Sequence, residues 1–208
     1  AGLVGKSVIE EYANILVTVE LASEYRYKKN FYDKKTLVIF ISQSGETADT
    51  IAALRNVKKD KIDTLAIVNV VGSTIAREAD RVLYIRAGVE IAVATTKAYM
   101  LQVAMLILIA LNIAYVNKSM NEEEISKILK EFKKIPKFVD EIILREKECF
   151  EIAKEISSQE DVFFLGRGVD YALSMEGSLK LKEISYIHSE AYPAGELKHG
   201  TISLIEGG

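Results

Sequence analysis

Cysteine is nearly absent. Cys149 is the single one in 208 residues, which excludes an internal disulfide framework and makes a reducing, cytoplasmic setting the expectation. Two histidines, His188 and His199, are the only others of the common metal-binding nitrogen and sulfur donors. These three residues are widely separated and leave no metal-site spacing, so no metal is expected. An excess of one charge is also missing. The 27 Lys and Arg and 30 Asp and Glu are well mixed and sum to −3. With no basic face or tail, nucleic acid is not an expected partner. Long apolar runs reduce to one, residues 98–116, which carry no charge and approach the ~20 residues a bilayer span requires. That run contains Tyr99, Gln102, Asn112 and Tyr115, and the remaining sequence reads as a soluble α/β protein. A helix buried on most sides, at a subunit interface, explains it, and no membrane is expected.

What is present is a core-forming chain, 49% hydrophobic. That is enough for one sizeable core or two smaller ones. Residues 2–18 read as a helix, and Glu20 to Glu24 as a short strand. Thr36 to Ile41 (TLVIFI), Thr64 to Val70 (TLAIVNV) and Arg81 to Ile85 are apolar and largely β-branched, and read as buried strands. Helices are expected at 48–59, 73–79 and 93–116. Strands alternating with helices, each strand apolar on both faces, predict a parallel sheet covered on both sides.

Ser119-Met120-Asn121-Glu122 has the spacing of a capping box. Ile125, Ile128, Leu129, Phe132 and Ile135 follow at helical spacing. Pro136 is expected to break that helix, and a second amphipathic helix is expected from Lys137 to Ser157. Cys149 falls on this helix and is expected in the core. Val162 to Leu165 starts a new buried strand, and a helix follows from Tyr171 to Ile187. Leu21 to Tyr25 (LASEY) after a helix, and His188 to Tyr192 (HSEAY) after a helix, suggest two copies of one α/β unit. Ala1 enters a helical pattern without a capping residue, and the chain stops just after an apolar run. The expectation is a segment that begins and ends inside domains.

The segment that carries chemistry is Ser42-Gln43-Ser44-Gly45-Glu46-Thr47, between a strand and a helix. A strand turning directly into a helix leaves the first backbone N–H groups of that helix unpaired, with the positive end of the helix dipole behind them. Such a turn can hold a phosphate without lysine. Gly45 permits close approach or a positive φ. Ser42, Ser44 and Thr47 offer hydroxyl donors, and Gln43 offers an amide. Helix capping alone would need one such residue, so anion binding is the favoured reading. The segment matches neither the P-loop nor the dinucleotide fingerprint.

At this point the sequence resembles the sugar isomerase (SIS) domain family, and within it the isomerase region of the glutamine–fructose-6-phosphate aminotransferases. Four stretches carry the resemblance: residues 21–27 (LASEYRY), 42–50 (SQSGETADT), 93–98 (VATTKA) and 177–192 (GSLKLKEISYIHSEAY), the last continuing into GELKHG at 195–200. The resemblance implies a three-layer α/β/α SIS domain with a parallel sheet over 1–118, a helical bridge over 119–157, and the truncated start of a second SIS unit over 158–208. It implies that a first strand with a Cys-Gly-Thr-Ser turn precedes Ala1, and that the rest of the second unit and a tail lysine follow Gly208.

The resemblance also implies roles. Ser42, Gln43, Ser44 and Thr47 would hold the sugar phosphate, and Val93 and Thr95 would contact the sugar chain. Glu183 would carry the proton between C1 and C2, Lys180 would sit beside the reaction centre, and His199 would assist ring opening from a neighbouring subunit. These types suit the chemistry. One carboxylate can remove and return the proton if water is kept away, histidine transfers protons near neutral pH, and a cation stabilises charge on oxygen. Taken by themselves, Glu176, Lys180 and Glu183 form an i, i+4, i+7 row of the kind that makes solvated ladders, and His199 reads as a loop residue. His188, at a helix end, would complement the dipole. The expected ligand is a sugar phosphate: fructose 6-phosphate, glucosamine 6-phosphate or glucose 6-phosphate. No cofactor is implied. A homodimer and a separate glutaminase domain in the full-length protein are the implied partners. The alternatives are another SIS phosphosugar isomerase or deaminase, or a non-catalytic phosphosugar-sensing module.

Overall fold

A computed structural model describes residues 1–33 and 35–205. The chain divides into two compact units, one of Ala1–Glu10 with Ile15–Ala110, the other of Glu11–Asn14 with Leu111–Gly208.

The first unit runs from α1 (Gly2–Ala13) through a single helical turn α2 (Ala22–Tyr25), β1 (Leu37–Ser42), α3 (Ala48–Lys59), β2 (Asp63–Val68), α4 (Thr74–Glu78) and β3 (Arg81–Tyr84) into α5 (Lys97–Val116). The three strands form one parallel sheet in the order β1-β2-β3, with Phe40 opposite Ala66, Ser42 opposite Val68, and Val68 opposite Tyr84. Strand side chains alternate between faces, and both faces are apolar. Phe40, Ala66 and Val68 point into a cluster with Ala53, Leu54, Val57 and Ile75 from α3 and α4. Ile39, Ile41 and Ile67 point the other way, toward Ala98, Leu106 and Ile109 of α5. The result is the expected three-layer α/β/α arrangement. Leu54, Val57, Ile67, Val68 and Ile75 are fully buried. Burying a side chain of this size stabilises by roughly 1.5–3 kcal/mol, so this sheet is a rigid platform for the loops at its ends.

In α5, Ala98, Gln102, Leu106, Ala110 and Ala114 recur every fourth residue and all are buried. The opposite side leaves Met100, Leu101, Leu108 and Tyr115 exposed. Among the described residues it is the one helix long and apolar enough to cross a membrane. Its packed row is that of a helix laid on a protein core. It begins at Lys97 rather than Val93, because Thr96 takes the start: the Met100 N–H donates to its carbonyl at 3.1 Å.

Three local expectations in this unit are corrected. The first helix ends at Ala13, not residue 18, because Asn14 adopts φ +52°, a left-handed conformation that stops a helix. Residues 20–24 are not a strand. Ala22–Tyr25 form the helical turn α2, and Ala22 and Tyr25 pack on the core cluster. Arg26 then donates to Asp49 Oδ1 at 2.6 Å. The LASEY and HSEAY segments therefore differ in structure, one helical and the other β5 (His188–Pro193).

The second unit holds α6 (Glu122–Phe132), α7 (Ile135–Ile143), α8 (Glu146–Ile156), β4 (Asp161–Gly166), α9 (Val169–Ser185) and β5. Strands β4 and β5 pair in parallel, with α9 connecting them. The helix is pinned to β5 by a reciprocal clasp: Ser178 Oγ donates to the Ser189 carbonyl and Ser189 Oγ to the Ser178 carbonyl, each at 2.9 Å, both residues buried. Gly177 lets the helix meet β4, since a Cβ there would stand 3.0 Å from the Phe164 ring.

The capping box lies two residues later than the expected one, with Asn121 and Glu124 as its members. Ser119 is diverted, its hydroxyl donating to the Tyr12 carbonyl at 2.6 Å. Pro136 stands in the first turn of α7 and opens that helix rather than closing the one before it. The expected long helix 137–157 is two helices, α7 and α8, parted at Leu144 and Arg145. Cys149 is exposed, not core. The reason is general to α7 and α8: Phe138, Ile142, Ile143, Leu144, Phe150 and Ile152 are all exposed too, so no core forms on that face among the described residues.

Candidate functional site

The loop 42–47 leaves the carboxyl end of β1 and enters α3, where open α/β sheets bind ligands. The buried Ser42 Oγ accepts from the Gly45 N–H at 3.0 Å and lies 3.3 Å from Thr47 Oγ1. Ser44 Oγ accepts from the Glu46 N–H at 3.2 Å. A serine that accepts from an amide keeps its own O–H as a donor, so these bonds shape the turn without exhausting it. Gly45 takes φ +66°, the left-handed conformation its residue type allows. Thr47 occupies the N-cap of α3 yet makes no side-chain capping bond. Its hydroxyl faces that of Ser42 instead, and the first turn of α3 keeps its amides without a side-chain cap. Ser42, Ser44 and Thr47 thus stand beside uncapped helix amides, the donor types that anion binding uses.

The acidic residue in that first turn, Asp49, would oppose an anion. The Arg26 guanidinium, 2.6 Å from its carboxylate, offsets the charge.

The loop is also stitched to the neighbouring turn between β2 and α4. The Asn69 N–H donates to the Gln43 carbonyl at 3.1 Å and the Ile75 N–H to the Gly45 carbonyl at 3.0 Å. The Thr74 N–H donates to Glu46 Oε1 at 2.7 Å. Hydrogen bonds from the Thr74 side chain and amide, aided by the charge of Arg77, hold the Glu46 carboxyl below its ordinary pKa. Glu46 and Thr74 escaped the sequence reading as loop-fixing residues. The only hint was a glutamate where a second hydroxyl would have served equally well as a donor.

Val93 and Thr95 lie in the segment before α5. Val93 is 91% exposed and Thr95 half-buried. The segment is closed at its base by the Thr96 N–H, which donates to Glu90 Oε1 at 3.0 Å, and by Lys97 Nζ, which donates to the Val89 carbonyl at 2.6 Å.

In the second unit, α9 brings together the expected row. Lys180 Nζ stands 2.5 Å from Glu183 Oε2 and 3.6 Å from Glu176 Oε1. The three side chains retain 20–31% of their exposure, so the row is partly shielded yet open to solvent. His199 is exposed on the turn after β5, its N–H donating to the Glu196 carbonyl at 2.9 Å. His188 is not a helix-end group. It starts β5, opposite Asp161, with Nδ1 2.5 Å from Asp161 Oδ1. Among the described residues no cluster of three His, Cys, Asp or Glu side chains is arranged to hold a metal ion.

A parallel α/β/α layer with a hydroxyl-rich strand-to-helix turn defines a class, and comparison gives it a family. The SIS domain model matches residues 1–112 and 155–208, and the chain belongs to the SIS domain family. Over 208 residues it is 55% identical to the isomerizing glutamine–fructose-6-phosphate aminotransferase of Caldanaerobacter subterraneus subsp. tengcongensis and 54% identical to that of Clostridium tetani. Each match takes in 100% of this chain and 34% of the relative, so the chain spans about a third of the length of these curated relatives. The C-terminal domain of glucosamine-fructose-6-phosphate aminotransferase from Francisella tularensis superposes with a TM-score of 0.96 at 44% identity, covering 99% of this chain and 58% of that one. The glucosamine-6-phosphate deaminase of Thermotoga maritima shares the fold at a TM-score of 0.75 and 24% identity, over 99% of this chain and 61% of its own.

Proposed function

We propose that this chain is the isomerase region of an isomerising glutamine–fructose-6-phosphate aminotransferase. The observation that carries the reading is identity of 50–55% along all 208 residues to several relatives of that name. In this reading residues 1–118 are the first SIS domain, 119–157 a helical bridge and 158–208 the start of a second SIS unit. The whole enzyme works in the cytoplasm as a homodimer and carries a separate glutaminase domain that supplies ammonia.

The turn 42–47 binds the phosphate of fructose 6-phosphate. Its donors are hydroxyls and amides rather than lysines, so they fix the phosphate in position and leave it stable. Val93 and Thr95 line the sugar. The ammonia-derived imine of the ketose is isomerised to the aldose amine. Glu183 removes the proton from C1 and returns it to C2, which one carboxylate can do on one face of an enamine intermediate. Lys180, beside Glu183 on the same helix face, stabilises charge developing on oxygen. His199 passes a proton to the ring oxygen as the hexose opens.

The test is solvent-proton exchange into fructose 6-phosphate in the full-length enzyme. Glu183→Gln is expected to cut exchange by about a hundredfold or more, the scale of general-base catalysis, with phosphate affinity retained. Equal exchange in wild type and Glu183→Gln would remove Glu183 from the mechanism. Tight sugar-phosphate binding with no exchange in wild type would favour a sensing module.

A further inference from the structure

Ser73 occupies the position before α4 from which a serine hydroxyl ordinarily accepts from the first amides of a helix. Here the phosphate loop has taken that task. The Thr74 N–H goes to Glu46 Oε1 and the Ile75 N–H to the Gly45 carbonyl. Ser73 makes no capping bond, is 3% exposed, and its Oγ is buried without a hydrogen-bond partner among the described residues. It is pressed on the loop: a Cβ built on Gly45 would fall 2.1 Å from Ser73 Oγ and 2.6 Å from Ser73 Cβ. An unpaired buried hydroxyl destabilises a fold, and alanine would fill the same space without that cost. Such groups call for a use.

The use lies in what an anion does to the turn. Gly45 N–H donates to Ser42 Oγ, which is also in reach of Thr47 Oγ1. When phosphate draws the Ser42 and Thr47 hydroxyls to itself, Ser42 Oγ can go on accepting from the Gly45 N–H, and the Gly45 carbonyl, which accepts from the Ile75 N–H, keeps a second lone pair for a donor beneath it. Ser73 Oγ is the atom that a side chain at Gly45 would meet first. We propose that Ser73 is a positioning residue of the anion loop, its hydroxyl bonding to the Gly45 peptide when phosphate fills the cradle. The inference rests on the reading that 42–47 binds phosphate.

Calorimetric titration with inorganic phosphate and thermal unfolding, on wild type, Ser73→Ala, Ser73→Cys and Ser44→Ala, test it. Ser73→Ala is expected to melt about 2–4 °C higher than wild type without phosphate, and to bind phosphate about fivefold more weakly, a size typical of one lost hydrogen bond. Ser73→Cys, which keeps the shape and a weak donor, is expected to recover part of the affinity. A purely structural role would move stability and affinity in the same direction. If Ser44→Ala loses phosphate while Ser73→Ala binds it as wild type does, the inference fails and the phosphate reading stands. If Ser73→Ala melts lower or does not fold, the hydroxyl is already paired in the free protein and the inference fails. If wild type binds no phosphate, the cradle reading fails and this inference with it.

Discussion

Glu46, on the loop after the first strand, holds the first amide of the helix after the second: Thr74 N–H donates to Glu46 Oε1 at 2.7 Å. Two strand-to-helix turns at the same end of the sheet are thus one rigid object. Glu46→Ala is expected to free the start of α4, lower the melting temperature and weaken phosphate binding several-fold, although Glu46 itself donates nothing to the anion. Glu46→Gln is expected to fall between, because its amide oxygen still accepts but carries no charge. Paired thermal melts and phosphate titrations check this. Unchanged phosphate binding in Glu46→Ala would mean that the turn holds its shape unaided.

Gly45 is expected to be the least replaceable residue of the loop. Its φ of +66° disfavours any side chain, at about 1–2 kcal/mol, and a Cβ would strike Ser73 Oγ at 2.1 Å. Gly45→Ala should therefore lose phosphate binding and stability together. Gly72 supplies the control. It has φ +73° but nothing within 4 Å of its added Cβ. Gly72→Ala is expected to show the backbone cost alone in a denaturant titration and to keep phosphate affinity within about twofold, as expected of a change away from the ligand.

Asp80 sets an acid limit on the first unit. It accepts from Lys58 Nζ at 2.8 Å and from Thr64 Oγ1 at 2.7 Å, tying α3 and the start of β2 to the start of β3. The bond from Lys58, then that from Thr64, lower its pKa from 3.8 to about 2. The group is depressed on folding, so its stabilising contribution is present above pH 3.8 and is lost as pH falls toward about 2. With its side chain 41% exposed, the contribution is discounted for solvent screening to on the order of 1 kcal/mol. Asp80→Asn should lower stability at neutral pH and flatten the decline of stability between pH 4 and pH 2. A wild-type decline of the same steepness in Asp80→Asn would contradict this.

The sheet was legible because its three strands are short apolar, β-branched runs bounded by turn residues, a pattern that leaves few alternatives. The turn at 42–47 was legible because small polar residues and one glycine stand between two apolar runs, where β1 ends and α3 begins. What the sequence did not disclose depends on partners distant along the chain. Leu21–Tyr25 is too short to show a period of its own, and the packing of Ala22 and Tyr25 on the core, with the Arg26–Asp49 pair, fixes it as a helical turn. Ser119 fits a capping box by spacing, yet the Tyr12 carbonyl captures its hydroxyl. Glu46 caps α4 from the neighbouring loop, while Ser73 at the N-cap of that helix has no hydrogen-bond partner among the described residues. None of these choices is written in local propensity, because each is decided by a contact between residues well apart in sequence.

The central claim is that hydroxyls and helix amides, with no lysine, grip the phosphate. A crystal structure of the protein with fructose 6-phosphate tests it most directly. The account predicts phosphate oxygens about 3 Å from Ser44 Oγ, Thr47 Oγ1 and the first amides of α3, with the Ser42–Thr47 contact broken. A phosphate bound elsewhere, with Ser42 Oγ still 3.3 Å from Thr47 Oγ1, would contradict it.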